Sequence, residues 1–387
     1  MGRRTLSLFV ILFLLSGTVQ AVEYDAAEQA ILCAFEEGAE TLDLTPYRLT
    51  CEELESLFTK LRNENVLPWY ASGYSCTYDL RTGIVHSVTF QILDEEAYPR
   101  ESYEAAVQKI LAEAVLPGMG PEQIAMSIHD YLISHFRYDE SGARFTGYDL
   151  LVNGTAVCEG YARAYMDLLK RAGVEAMYVC DEELAHCWNQ VKLDGSWHQV
   201  DVTWDDPLPD IWGRVSHANF PGIDISTDSP ICFESAEVCY LRTDEGTQIR
   251  ILRWDQQTGE LTELLSLDAG YIDVGCGRYH YQTFGLSLWK GRLYFSDMER
   301  VYAMNTDGTG LSVVYRYDAE ANGTFIRGSF VDEGTLHLTL SDHDGNAQTK
   351  TLRLSPEGGA YSSSQNRSFS VRFSALQMAT QSLMVGL

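Results

Sequence analysis

Gly154-Thr155-Ala156-Val157-Cys158-Glu159-Gly160-Tyr161 is a run of small residues that leads into a helix, with a cysteine at the helix start. Downstream lie His186-Cys187-Trp188-Asn189-Gln190-Val191 and Trp197-His198-Gln199-Val200-Asp201-Val202-Thr203-Trp204-Asp205-Asp206, which read as two strands. A thiol attacks as its thiolate, and the unpaired N–H groups and dipole of a helix start favour negative charge there. Gly154, Thr155 and Ala156 leave room for a substrate backbone. Taken alone, Cys158 reads more simply as a small buried residue. Its partners change that.

Asp194-Gly195 reads as a two-residue hairpin turn between strands 186–193 and 196–204. Leu193 then faces Ser196, and Asp201 faces Trp188. His186 and Asp201 fall on one face as diagonal neighbours, with Cβ atoms roughly 7–8 Å apart or less. A carboxylate so placed accepts from one ring nitrogen while the other points toward Cys158, which fixes a tautomer and orients a base. This placement depends on register, since a one-residue slip sends Asp201 to the other face. His198 lies on the face opposite His186, and Asp205 and Asp206 follow the strand and read as loop residues.

The 387 residues exceed one ordinary core, and 45% hydrophobic and 11% aromatic content place the chain among globular proteins. A net charge of −27 with no basic patch excludes nucleic acid as a partner class and suits a soluble surface. Arg3 and Arg4, the apolar run Leu6 to Leu15, and Val19-Gln20-Ala21 read as a secretory leader over residues 1–21, cut near Ala21. The run is shorter than the ~18 residues of a membrane span, so no transmembrane segment is expected in the mature chain. With nine cysteines, an exported chain keeps at least one thiol, and Cys158 is that thiol if the other eight pair. No CxxC, HExxH or complete calcium loop is present, so neither metal nor cofactor is expected, and Asp342, Asp344 and Asn346 read as turn residues. The sequon at Asn153 is read as accidental, since a glycan there would block the site.

Residues 22–100 read as a small α+β region: a helix around Ala27 to Phe35, a capping box at Thr50 and Glu53 before Leu54, Leu57, Phe58 and Leu61, and strands Tyr74 to Leu80 and Ile84 to Leu93. Residues 101–230 hold the chemistry, with helices marked by Tyr103 to Leu111, by Pro121 to Phe136, and by Val157 to Leu169. Residues 231–354 carry short aromatic and β-branched segments between turns, including Val238 to Leu241, Ile249 to Trp254, Arg292 to Ser296, Val301 to Met304 and Leu336 to Leu340. They read as an all-β domain, an incomplete propeller of about three blades or a sandwich. Residues 355–387 are a polar tail with Val371 to Met378 as a candidate last strand.

The Cys158, His186 and Asp201 motifs, in that order, resemble the bacterial transglutaminase-like superfamily. Ile128-His129-Asp130-Tyr131-Leu132 and Tyr138-Asp139 resemble its lead-in helix, and Ser216-His217-Ala218-Asn219-Phe220 the end of its core. The resemblance covers residues 100–225 well, 25–100 weakly, and not the β region. It implies a papain-like α+β core with Cys158 as nucleophile, His186 as base and Asp201 as orienter. One departure stands out: Cys187 occupies a place where a small residue is usual. In the expected register its side chain points away from the site, and pairing with Cys180 across the 181–185 turn is open to it. A secreted thiol enzyme acting on extracellular or cell-surface peptide or carboxamide bonds follows, with hydrolysis ahead of cross-linking. The alternative is a non-catalytic binding or surface-assembly protein that keeps the fold.

Overall fold

A computed structural model describes residues 26–181, 184–206, 215–217, 220, 227, 229–274, 277–355 and 360–361. The expected leader and the candidate strand at Val371 to Met378 lie outside these residues.

The N-terminal region follows its apolar spacing. Helix α1 (Ala26–Glu36) and strand β1 (Thr41–Asp43) precede α2 (Cys51–Asn63), whose start is fixed by Thr50 and Glu53 capping each other's backbone. The stripe Leu54, Leu57, Phe58 and Leu61 is buried against Val85, Val88 and Phe90 of the sheet β1-β3-β2, where β2 is Ala71–Tyr78 and β3 Val85–Ile92. Strand β2 ends earlier than its pattern suggests, because the Asp79 carboxylate accepts from the backbone N–H groups of Arg81 and Thr82 and makes the turn itself. Trp69 couples this region to the next by stacking on Tyr103, with ring centroids 4.2 Å apart.

The central region is built around one helix. Helices α3 (Arg100–Ala114), α4 (Pro121–His135) and α5 (Gly147–Leu151) surround α6 (Cys158–Arg171), which faces the antiparallel sheet β6-β7-β8 (Ala176–Asp181, His186–Leu193, Ser196–Val200). Short strands β4 (Arg137–Tyr138) and β5 (Thr155–Ala156) pair in parallel immediately before α6. Tyr161, Ala164, Tyr165, Leu168 and Leu169 are fully buried on α6. Each such large apolar side chain contributes roughly 1.5–3 kcal/mol, enough to make α6 the anchor of the region.

Beyond it, the described residues form three four-stranded antiparallel sheets. The first is β9 to β12 (Cys232–Phe233, Val238–Glu245, Gln248–Asp255, Glu260–Asp268), followed by a small pair, β13 (Ile272–Asp273) and β14 (Arg278–Tyr279). The second is β15 to β18 (Leu286–Trp289, Arg292–Ser296, Arg300–Asn305, Ser312–Arg316), and the third β19 to β22 (Phe325–Asp332, Thr335–Ser341, Ala347–Leu354, Ala360–Tyr361). Each runs up and down in chain order, so the fold is α+β with a C-terminal β region. Packing is continuous across residue 230: Ile231, Cys239, Leu241 and Leu252 join the core formed by α3, α4 and α6. Where the first two sheets meet, the buried Arg242 guanidinium pairs with Asp244 at 2.8 Å and donates to the carbonyls of Gly285 and Ser296. Among the described residues, no helix is long and apolar enough to cross a membrane.

Candidate active site

Asp194 and Gly195 both take positive φ (49° and 87°), the conformation a two-residue hairpin turn demands and an Asp-Gly pair tolerates. The register follows from that turn, from Leu193 facing Ser196 to Asn189 facing Val200. Asp201 is the first residue past β8. Its Oδ1 accepts from the backbone N–H groups of Thr203 and Trp204, and its Oδ2 lies 2.6 Å from Nε2 of His186. That leaves Nδ1 of His186 for the Cys158 thiol, with which the ring also hydrogen-bonds. The imidazole stacks on Trp204 (centroids 4.7 Å apart) and Trp188 (5.9 Å). The ring is thus held in plane by two indoles and in rotation by one carboxylate.

Cys158 owes its position to the residues around it. The N–H of Val157 donates to the Arg144 carbonyl at 2.8 Å, and β5 is tied to β4. Gly160 lets α6 lie against this strand: a Cβ there would overlap the Ala156 methyl and come within 2.9 Å of the Thr146 carbonyl. Asn189, fully buried on β7, donates to the Ala162 carbonyl at 3.0 Å and binds the sheet to the helix.

The electrostatics follow from these contacts. A hydrogen bond from Cys187, outweighing burial and aided by His186, brings the Cys158 thiol down to about 4. Burial alone would keep His186 neutral, but Asp201 and Cys158 raise it to about 9. Both shifts favour a thiolate–imidazolium pair between those values. Tyr138, exposed on β4, has a hydroxyl oxygen that accepts from the Cys158 backbone N–H, although burial is the larger influence and raises its pKa. Only the parallel β4–β5 pairing, which periodicity does not reveal, places it there.

Three expectations need correction. Cys187 does not point away: its side chain packs with Cys158, Ala162, Met166 and Tyr178. The helix lies on the β7 face of Cys187 and Asn189, while His186, at the strand's first residue, meets Cys158 around its end. The strand expected over 196–204 ends at Val200, so Asp201 is not paired opposite Trp188; Asp205 and Asp206 follow in a loop as expected, and the Asp206 carboxylate accepts from the buried Tyr161 hydroxyl at 2.8 Å. Cys158 is not singled out by cysteine pairing, because all eight described cysteines, Cys180 and Cys187 included, are free thiols and Cys276 lies outside the described residues. His198 sits off the site beside Asp194, as the register requires.

A second polar cluster lies beneath the site. His129 Nδ1 and His217 Nε2 meet Asp130 at 2.8 and 2.9 Å, the Ile231 N–H donates to Asp130 at 2.6 Å, and His129 Nε2 lies 3.3 Å from Asp205. Against its burial, hydrogen bonds to Asp130 and Asp205 raise His129 to about 9, and the two histidines bring the buried Asp130 down to about 2. His129, Asp130 and His217 offer ligand atoms within 4.8 Å of one another. Both Asp130 oxygens already accept from N–H donors at hydrogen-bond distance, so the group fits a buried ion-pair relay rather than a metal centre.

Residues 108–202 match the transglutaminase-like superfamily. The kyphoscoliosis peptidase of Mus musculus is 25% identical over 170 residues, covering 38% of this chain and 24% of the peptidase. The Homo sapiens kyphoscoliosis peptidase is 31% identical over 100 residues, covering 21% and 15%. The chain therefore spans about a quarter or less of these curated relatives. A chain of a nidogen/laminin complex is similar over 43% of this chain and 54% of its own length, at 16% identity and a TM-score of 0.25, too distant to bear on fold or chemistry.

Proposed function

Since its domain at residues 108–202 makes this chain a transglutaminase-like superfamily protein, we propose that it is a thiol hydrolase of peptide or carboxamide bonds. The observation that carries the proposal is the line from Cys158 through His186 to Asp201, with 2.6 Å between the last two. Cys158 thiolate attacks the carbonyl carbon, and the tetrahedral oxyanion forms beside the Cys158 N–H and the Tyr138 hydroxyl. The His186 imidazolium gives its proton to the departing amine. The acyl-enzyme is then cleaved by water, which His186 deprotonates. Asp201 holds the ring for both transfers. Hydrolysis is preferred to amine transfer because the curated relatives are named peptidases. The leader-like reading of residues 1–21 supports a substrate outside the cell, and the three up-and-down sheets are compatible with propeller blades that present it.

The test is incubation with a peptide library, with and without a primary amine, read by mass spectrometry. Cleavage that disappears in Cys158→Ser and His186→Ala supports hydrolysis. Amine adducts without cleavage would make the protein a transferase, and neither product would leave the binding-protein alternative.

A further inference from the structure

The thiol beside the nucleophile is not isolated. Cys187 touches Cys158 on one side, and on the other its Sγ lies 2.7 Å from Sγ of Cys180. Cys180 and Cys187 face each other directly on β6 and β7. Facing residues of an antiparallel pair have Cα atoms about 4.5–5.5 Å apart, inside the range a disulfide spans, so they can be bridged without moving the backbone. Tyr178 donates to the Cys187 sulfur at 2.8 Å and fixes its direction. Cys180 is exposed, Cys158 half-buried and Cys187 buried, so the three form a path from solvent to the nucleophile.

We propose that Cys187 and Cys180 are a resolving pair that clears thiol adducts from Cys158. This rests on Cys158 being the reactive thiol of the site. The oxidant is a low-molecular-weight disulfide, RSSR. Cys158 thiolate attacks one of its sulfurs, forming Cys158–S–SR and expelling RS⁻. Cys187 attacks the Cys158 sulfur, giving Cys158–S–S–Cys187 and a second RS⁻. Cys180 then attacks the Cys187 sulfur, and Cys158 leaves as thiolate. The net change is one RSSR reduced to two RSH and one Cys180–Cys187 disulfide formed, the two protons coming from Cys180 and Cys187.

The direction follows from the surroundings of each sulfur. Cys158 sits at the start of α6 beside His186, so its thiolate is stabilised and leaves readily. While Cys158 is a thiolate, its contact, ahead of burial, holds the Cys187 thiol protonated and a poor leaving group; in the mixed disulfide that contact is gone, and the RS⁻ first expelled takes the Cys187 proton for the attack. The disulfide therefore comes to rest on Cys180 and Cys187, and the nucleophile is free again.

The full chain is first reduced, then loaded with glutathione on Cys158 from one equivalent of oxidised glutathione at pH 5, where other thiols are protonated. It is moved to pH 8, quenched with an alkylating agent, and its linkages mapped by peptide mass spectrometry. In wild type, glutathione leaves, Cys180–Cys187 forms, and Cys158 becomes alkylatable. Cys180→Ala halts at Cys158–Cys187, with about tenfold less free Cys158, equivalent to about 30 mV for a two-electron couple. Cys187→Ala keeps its glutathione. Glutathione retained by wild type, no loading of Cys158, or equal free Cys158 in wild type and Cys180→Ala would each overturn the proposal, and the exposed Cys180 variant decides the matter if Cys187→Ala fails to fold. Linkage mapping is separate from turnover: absence of peptide cleavage in a chain that still clears its adduct counts against hydrolysis alone.

Discussion

At the scale of single residues, the site depends on what holds His186 and what receives the oxyanion. Asp201→Asn keeps the shape but offers an amide where the ring needs a carboxylate, so kcat/KM for peptide cleavage should fall by orders of magnitude. Rescue is not expected from Asp205, which is engaged with His129. Tyr138→Phe removes one hydroxyl from the Cys158 N–H region. If it stabilises the oxyanion, kcat should drop by about 10²–10³ with KM little changed. A parallel rise in KM alone would make Tyr138 a substrate contact instead. Steady-state kinetics separates the two. The Cys158, His186 and Asp201 positions were legible because spacing and a turn signal define them. Tyr138 was not, because a two-residue parallel bridge leaves no periodic trace.

At the scale of elements, α6 and the β6-β7-β8 sheet set the geometry. Gly160→Ala forces a methyl into the Ala156 side chain and the Thr146 carbonyl, and overpacking of this kind costs about 1–3 kcal/mol. Urea denaturation should show that loss, and Cys158 alkylation should slow, because the helix start must shift. Asn189→Ala leaves the Ala162 carbonyl without its side-chain donor, and a loss of about 1–3 kcal/mol is expected by the same measurement. The register of β7 and β8 was readable from Asp194-Gly195 alone. The facing of Cys187 was not: strand alternation puts it opposite His186, but only tertiary packing shows that α6 lies on the Cys187 face.

At the scale of the whole molecule, the buried relay joins α4 to Asp205, His217 and the entry to the β region. His129, at about 9 when folded, lies above its ordinary 6.5, so its stabilisation is complete below pH 6.5 and lost as pH rises toward 9. Asp130, at about 2, lies below its ordinary 3.8, so its share is present above pH 3.8 and lost as pH falls. Between pH 6.5 and 9 the Cys158 and His186 contributions have opposite slopes, since one pKa is lowered and the other raised. Thermal unfolding midpoints should therefore decline above pH 6.5, and His129→Gln should flatten that decline while lowering stability overall. None of this was legible in sequence, where Ile128-His129-Asp130 and Ser216-His217 lie far apart and only burial brings them together.

The claim on which the rest stands is that Cys158 rests as a thiolate paired with His186. The measurement is the rate of Cys158 alkylation from pH 3 to 10, located by peptide mass spectrometry, in wild type and His186→Ala. The structure predicts rapid reaction that persists down to about pH 4 in wild type and a profile shifted to higher pH in the variant, with the part of the lowering that Cys187 supplies retained. Alkylation that follows an ordinary thiol near ~8.5 in both proteins would contradict the account.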